Sequence, residues 1–273
     1  MTQEKVLAGG EREGARAPVF WLSRFSRLDG VVQGFSMRRG PGPSAGEFNM
    51  SFRTANVADH VVQNRRAFCQ ALGVPLECAV FMQQSHGDNV AVVTRADAGR
   101  GARSPESAIP NTDAMITRER GLFLAALGAD CAVVSLCDPV AGAVAIVHAG
   151  WRGTVLGVAE KALRRMRAEF GCNAANIVAG VGPCIGPCCY EVGREVLDAA
   201  VNGRGAEAIS QRGGKSYFDL RRANVQQLLA AGVREENIEA ADTCTACNCD
   251  RFFSYRREGA TGGRFCGIIG MTT

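Results

Sequence analysis

The chain has 273 residues, 47% of them hydrophobic, with a formal net charge of +4 from 31 basic and 27 acidic residues. This is enough apolar material for a sizeable core, and the charge is too mild for a nucleic-acid binder; small anionic ligands are the better expectation. The first residues are polar and Gly-rich without an apolar signal run, and the apolar stretch 121–149 is broken by Asp130 and Asp138, which argues against a membrane span.

A soluble cytoplasmic protein follows as the expectation, a monomer or small homo-oligomer, with residues 1–17 as a flexible leader and 18–273 as one domain. The twelve cysteines, in a chain of this length without an export signal, read as reduced thiols.

Residues 19–22 and 31–35 read as strands, and 37–48 as a Pro/Gly loop leading to Asn49. Asp59 is placed to N-cap a helix to about 72, with Val61, Phe68 and Leu72 at helical spacing and Gly73 as its stop. Segments 79–82 and 90–93 read as a hairpin around Gln84-Ser85-His86-Gly87, and 113–117 with 122–126 as another. Next, 132–136 and 143–147 flank the turn signal Asp138-Pro139-Val140-Ala141-Gly142 and predict a tight antiparallel hairpin.

Beyond it, Thr154 is placed to cap a helix with Val155, Val158, Ala159, Ala162, Met166 and Phe170 on one face, closed by Gly171. A strand at 176–181, a Gly/Pro/Cys loop at 182–189, helices at 191–200 and 219–231, and strands at 238–241, 251–255 and 265–270 complete the chain. The pattern predicts one α+β domain whose strands pair mostly as hairpins.

Folding the central hairpin about its turn brings Cys131 nearly opposite His148, and opposed residues in a ladder have Cβ atoms about 4.5–5.5 Å apart. A thiol and an imidazole there can share a metal ion or act as nucleophile and base. His86 also lies at a strand end beside glycine. Two imidazoles and a thiolate leave a fourth tetrahedral position open, as in catalytic zinc centres, where bound water becomes acidic. The same residues also fit a buried cysteine with two hydrogen-bonded histidines. His2Cys is a blue-copper set as well, but a multicopper oxidase needs many imidazoles, and the chain has three histidines.

Gly150-Trp151-Arg152-Gly153-Thr154 follows a strand and opens a helix, so with Arg152 it reads as a phosphate or carboxylate pocket beside His148. Asn49 and Asn64-Arg65-Arg66 read, by themselves, as surface polar residues. The aromatics and arginines of 252–257, with Arg264, fit either a base-binding wall or a solvated hairpin. Two cysteine groups, Cys184/Cys188/Cys189 and Cys244/Cys247/Cys249, hint at a second metal site or reduced thiols. No complete dinucleotide or Walker fingerprint is present.

Taken together, Gln84-Ser85-His86-Gly87, Thr112-Asp113-Ala114, Ala129-Asp130-Cys131, 148–154 (His-Ala-Gly-Trp-Arg-Gly-Thr), 182–187, 190–193 and 252–257 resemble the YfiH, or laccase-domain, family over roughly residues 30–270. The resemblance implies a catalytic domain over 18–273 with a layered α/β/β/α sandwich of mixed sheets, and zinc held by His86, Cys131 and His148. It also implies Asn49 and Arg65 as substrate contacts. The activity it implies is phosphorolysis of adenosine, inosine, guanosine or methylthioadenosine, with adenosine deamination. A copper-dependent polyphenol oxidase and a metal-free cysteine hydrolase using Cys131 and His148 stand as alternatives. The chain departs from the family at Ser85, where a hydrophobic residue is usual.

Overall fold

Strands buried on both faces need covering layers on both sides, and this chain has enough such strands for two sheets. The computed structural model describes residues 10–12, 17–41, 47–55 and 57–273. Strands β1 (Gly10–Arg12), β2 (Val19–Trp21) and β3 (Val31–Ser36) precede helix α1 (Ala58–Ala71). Then come β4 (Ala79–Phe81), β5 (Val90–Val92), β6 (Ala114–Thr117), β7 (Phe123–Gly128), β8 (Ala132–Asp138) and β9 (Ala143–Ala149). The second half holds α2 (Trp151–Leu156), α3 (Val158–Phe170), β10 (Val178–Val181), β11 (Glu191–Val192) and α4 (Arg194–Asn202). It ends with β12 (Ile209–Arg212), β13 (Lys215–Phe218), α5 (Leu220–Ala230), β14 (Ile238–Ala240), α6 (Tyr255–Glu258) and β15 (Phe265–Met271).

One six-stranded sheet runs β1-β2-β3-β15-β7-β4, the other β14-β10-β8-β9-β6-β5, and β11-β13-β12 form a small third sheet. Alternation along each strand assigns its side chains to layers. Val133, Val144 and Ile146 meet Phe35, Leu124 and Phe265 between the two large sheets. Their neighbours Ala132, Val134, Ala145 and Val147 face α3 and α5 through Val158, Ala162, Met166 and Leu228. On the other side, Phe123, Ala125 and Ile268 cover Phe68 and Cys69 of α1. The result is the expected α/β/β/α sandwich of mixed sheets.

The central hairpin forms as expected. Asp138 Oδ1 accepts from the amides of Val140 and Ala141 at 2.9 and 3.0 Å, closing the turn. The register pairs Val133 with His148 and Ala132 with Ala149.

Two other expected hairpins do not form. β4 pairs parallel with β7, β5 parallel with β6, and β6 antiparallel with β9, so strands adjacent in sequence go to opposite sheets. Both β4 and β6 are buried along their whole length, which a half-solvated hairpin would not require.

The helix expected over 155–170 is two helices, broken at Gly157, whose φ of +79° is costly for any other residue. Thr154 lies buried inside α2, where Asn224 Nδ2 donates to its hydroxyl at 3.1 Å. Asp59 sits in the first turn of α1 behind the N-cap residue Val57, a favourable place for a carboxylate but not the cap. Residues 191–192 are strand, because they pair with β13, and α4 starts only at Arg194.

The 251–255 segment is no strand; Phe252 and Phe253 are buried and Tyr255 opens α6. The β12–β13 hairpin, turning on Gly213-Gly214, escaped the sequence reading although Gly-Gly is a turn signal. Of the leader expected at 1–17, residues 1–9 and 13–16 lie outside the described residues. Gly10–Arg12 instead add an edge strand against β2.

A candidate metal centre at the mouth of the inter-sheet layer

The parity that turns Val144 and Ile146 between the sheets turns His148 the same way, at the end of β9. Cys131 stands one residue before β8 and shares the parity of Val133, so it is the diagonal neighbour of His148 rather than its direct partner. Its opposite number is Gly150, where a Cβ would sit 3.0 Å from Cys131 Sγ and 3.2 Å from His86 Cδ2. Glycine there leaves room for the third residue. His86 arrives from the loop after β4, and its ring crosses that of His148 edge-on at a centroid distance of 4.8 Å. The ligand atoms of His86, Cys131 and His148 all lie within 4.8 Å of one another. Two imidazoles and a thiol at this spacing suit a zinc ion with one open position.

One buried carboxylate organises both histidines. Asp113 Oδ1 lies 2.9 Å from His148 Nδ1, which leaves Nε2 as the ligand atom. The same carboxylate accepts from three successive amides, of Ser85 (3.2 Å), His86 (3.0 Å) and Gly87 (2.8 Å), and from the Ser85 hydroxyl at 2.7 Å. These bonds hold His86 at φ +60°, a left-handed conformation uncommon for a non-glycine residue. Ser85, the departure from the family pattern, thus adds a donor to the carboxylate.

Burial alone would raise the Asp113 carboxyl, but His148 and Ser85 hold it well below the usual carboxylate range. Burial would likewise raise the Cys131 thiol; the two histidines outweigh it and bring it down to about 6, favouring the thiolate a metal requires. His148 is pulled down by burial and up, more strongly, by Cys131 and Asp113.

The cluster opens into a cavity of about 700 Å³. Phe52, Trp151, Tyr190 and Tyr255 give it aromatic walls, and Arg65, Arg152, Arg256 and Arg264 give it positive charge. Arg152 lies over the Trp151 ring and donates to Glu195 at 2.9 Å, both side chains mostly exposed. The turn at 150–154 is weaker as an anion site than its sequence suggests. α2 is only six residues long, and the carbonyl oxygen of Gly87 lies 2.7 Å from where a Gly153 Cβ would be. Positive charge there rests on the Arg152 side chain.

Arg65 is not a surface residue. It is buried between the rings of Phe52 and Phe81 and donates to the carbonyls of Met50, Gly101 and Ala102 at 2.6 to 3.1 Å. Burial pushes it down to about 10, so it stays a cation at neutral pH. Asn49 stands behind the wall: its Oδ1 accepts from the amides of Ser51 and Arg264, and its Nδ2 donates to Ser51 O and Thr54 Oγ1. Its Oδ1 holds the Arg264 backbone amide, and Asn49 itself is not among the residues that line the cavity.

Asp130, at φ +84° beside Cys131, accepts from Thr245 Oγ1 and the Arg256 amide, each at 2.6 Å, and so ties the 244–256 segment to the end of β8. Asp113 and Asp130 had appeared in the sequence only as motif members without a role. Their carboxylates beside His, Ser and Gly at strand ends were the available signal.

Residues 32–272 match the family described as multi-copper polyphenol oxidoreductase laccase. The chain belongs to this family. Laccase-family relatives cover nearly its whole length. It is 37% identical over 248 residues, 88% of this chain and 90% of the other, to "Purine nucleoside phosphorylase YlmD" of Geobacillus stearothermophilus. It is 35% identical over 245 residues, 87% of this chain and 93% of the other, to "Adenosine deaminase RL5" of an unknown prokaryotic organism. The crystal structure of YlmD from Geobacillus stearothermophilus superposes with a TM-score of 0.89 at 34% identity, covering 96% of this chain and 99% of that one.

Proposed function

We propose that the chain is a zinc-dependent purine nucleoside phosphorylase that also deaminates adenosine. The observation that carries the reading is the His86–Cys131–His148 cluster facing an aromatic, cationic cavity, in a chain so similar to relatives bearing those two enzyme names. Zinc is the metal we assign, on the donor set of two imidazoles and one thiolate and the scarcity of histidine. The family description names copper, yet a multicopper centre needs imidazoles this sequence does not contain. Held by His86, Cys131 and His148, zinc would supply Lewis acidity at the cavity floor.

In phosphorolysis a phosphate oxygen bonds to the anomeric carbon while the bond to the purine nitrogen breaks. The electron pair leaves with the base, and the phosphate's proton ends on the purine. The products are free base and the sugar 1-phosphate. Arg152, Arg264 and Arg65 line the cavity and are the residues we assign to hold the phosphate. Their fixed charge offsets the dianion as the sugar develops oxocarbenium character. Trp151, Tyr190 and Tyr255 offer faces on which a purine can stack. Asp113 acts through the histidines, fixing ring orientation, and touches no substrate. In deamination, water replaces the C6 amino group of adenosine, which departs as ammonia. No helix among the described residues is long and apolar enough to cross a membrane, and we place the enzyme in the cytoplasm.

The deciding experiment is product analysis of adenosine, inosine, guanosine and methylthioadenosine, with and without phosphate, on protein of known metal content. Base and the sugar 1-phosphate formed only with phosphate are expected (ribose 1-phosphate from the ribonucleosides, 5-methylthioribose 1-phosphate from methylthioadenosine), together with inosine and ammonia from adenosine. Neither product from zinc-loaded protein would end the reading. Dye oxidation that needs several coppers per chain would favour a phenol oxidase, and full activity after chelation a cysteine hydrolase.

A further inference from the structure

The two cysteine groups of the sequence are one cluster in space. Cys188 and Cys189 of the 182–190 loop and Cys244 and Cys247 of the turn before α6 bring four Sγ atoms within 4.8 Å of one another. Cys247 Sγ lies 3.6 Å from Cys188 Sγ and 3.4 Å from Cys189 Sγ. A tetrahedral tetrathiolate with metal–sulfur bonds of about 2.3 Å has its sulfurs about 3.8 Å apart. These separations lie close to that figure and well beyond a bonded S–S pair. Cys184 and Cys249 stay outside: Cys184 is buried in the core beneath α3 and α5, and Cys249 is exposed beyond the turn.

We propose that Cys188, Cys189, Cys244 and Cys247 bind a second, structural zinc ion that staples the outer wall of the cavity. The loops are built for it. The Cys244-x-x-Cys247 turn is closed by the Asn248 amide on the Cys244 carbonyl at 3.0 Å, and the Gly186 amide donates to Cys244 Sγ at 3.2 Å. A Cβ on Gly186 would lie 3.3 Å from Cys188 Sγ and 3.2 Å from Cys244 Cβ, so glycine lets the backbone lie against the thiols.

Four thiolates around a divalent ion leave two net negative charges, and three arginines answer them. Arg256 donates to the carbonyl of Cys189 at 3.2 Å, Arg257 to that of Ala246 at 2.8 Å, and Arg212 to that of Pro187. Soft thiolates in tetrahedral array select zinc over the hard cations.

The position gives the ion a purpose. Cys189 precedes Tyr190, and the turn at 244–247 leads to Tyr255 and Arg256; all three line the cavity. Beyond the thiols, Arg256 joins the two segments by its bonds to Cys189 O and Glu191 O, with the isolated pairing of Cys184 and Cys244 beside it. Both segments are loops with little secondary structure, the situation in which a metal replaces missing core.

The test is metal stoichiometry on the full chain purified under reducing conditions. Wild type is expected to carry two zinc ions per chain and the Cys188→Ser/Cys247→Ser variant one, with the histidine site still loaded. Because the variant can fail to fold, wild type exchanged with cadmium supplies an independent reading by cadmium-113 NMR. Two resonances are expected, one at the strongly downfield position of four sulfur ligands and one at that of mixed nitrogen and sulfur. A single metal per chain, one cadmium resonance of the mixed kind, or disulfide-linked peptides joining 188–189 to 244–247 would each overturn the proposal.

Discussion

Asp113 Oδ1 lies 2.9 Å from His148 Nδ1 with both side chains buried, and the same carboxylate closes over three consecutive amides of the loop that carries His86. A single acidic residue on the approach to β6 therefore sets the orientation of two candidate ligands, His86 from the loop after β4 and His148 from the end of β9. The arrangement couples the candidate metal centre to the register of β6 against β9, since the His148 amide also donates to the Asp113 carbonyl at 2.7 Å. Partners of this kind fix the tautomer of a ligand and raise its basicity.

Replacing Asp113 by Asn keeps the volume but turns an acceptor into a donor facing amides. Affinity for the zinc proposed at this site is expected to fall about 10- to 100-fold, the range for losing such a partner. Chelator competition checks it. The Ser85→Ala change removes one of five donors and should cost stability of only about 1 kcal/mol, with affinity nearly intact. Equal losses from the two variants would refute the organising role given to Asp113.

Gly150 tests the geometry of the site without touching a ligand. Its φ of −70° is accessible to alanine, so the backbone carries no penalty. A Cβ, however, would press on Cys131 Sγ and His86 Cδ2 at 3.0 and 3.2 Å. The expected result for Gly150→Ala is loss of bound metal and activity, with a thermal midpoint close to that of wild type stripped of its metal. Wild-type metal content in this variant would show that the three side chains do not converge beside Gly150.

How much of this could be read from the sequence depended on the range of the interactions involved. The β8–β9 hairpin was legible because its turn is closed locally by Asp138, and a hairpin turn sets its own register. Register then delivered Cys131 and His148, offset by one diagonal step. The β4–β5 and β6–β7 pairings were misjudged because propensity says where a strand is, not which of two sheets it joins. The layered sandwich itself came from the family resemblance. Arg65 illustrates the same limit: a charged residue on a helix reads as surface until the carbonyls of Met50, Gly101 and Ala102 are seen around it. The split of the 155–170 pattern was written in Gly157, but an interior glycine is often tolerated, and the pattern on either side stays in phase.

Arg65 makes a stability prediction. Among the described residues no carboxylate pairs with it; it is held by backbone carbonyls and two aromatic rings. Arg65→Met would leave three buried acceptors unsatisfied, each costing about 1–3 kcal/mol. A loss of at least ~3 kcal/mol is expected, read as a lower urea midpoint with unchanged slope. Arg65→Lys keeps the charge but cannot reach the carbonyls with a planar fork, so it should recover only part of the loss. Unchanged stability with a raised KM for phosphate would make Arg65 a substrate contact alone.

Arg152 should behave in the opposite way. Its pairing with Glu195 is exposed on both sides, and exposed pairs contribute about 0–1 kcal/mol, so Arg152→Ala is expected to leave stability unaltered. If its guanidinium holds phosphate at the cavity mouth, the same change raises KM for phosphate and leaves kcat for deamination, which needs no phosphate, where it was. Glu195→Gln removes the competing carboxylate and should lower KM for phosphate modestly. Both shifts ought to shrink as ionic strength rises, because charges this exposed are screened over about 8–10 Å. Steady-state kinetics of both reactions across a salt series measures all of this at once. An unaltered phosphate KM in Arg152→Ala would move the anion contact inward to Arg264, whose amide Asn49 holds at 2.9 Å.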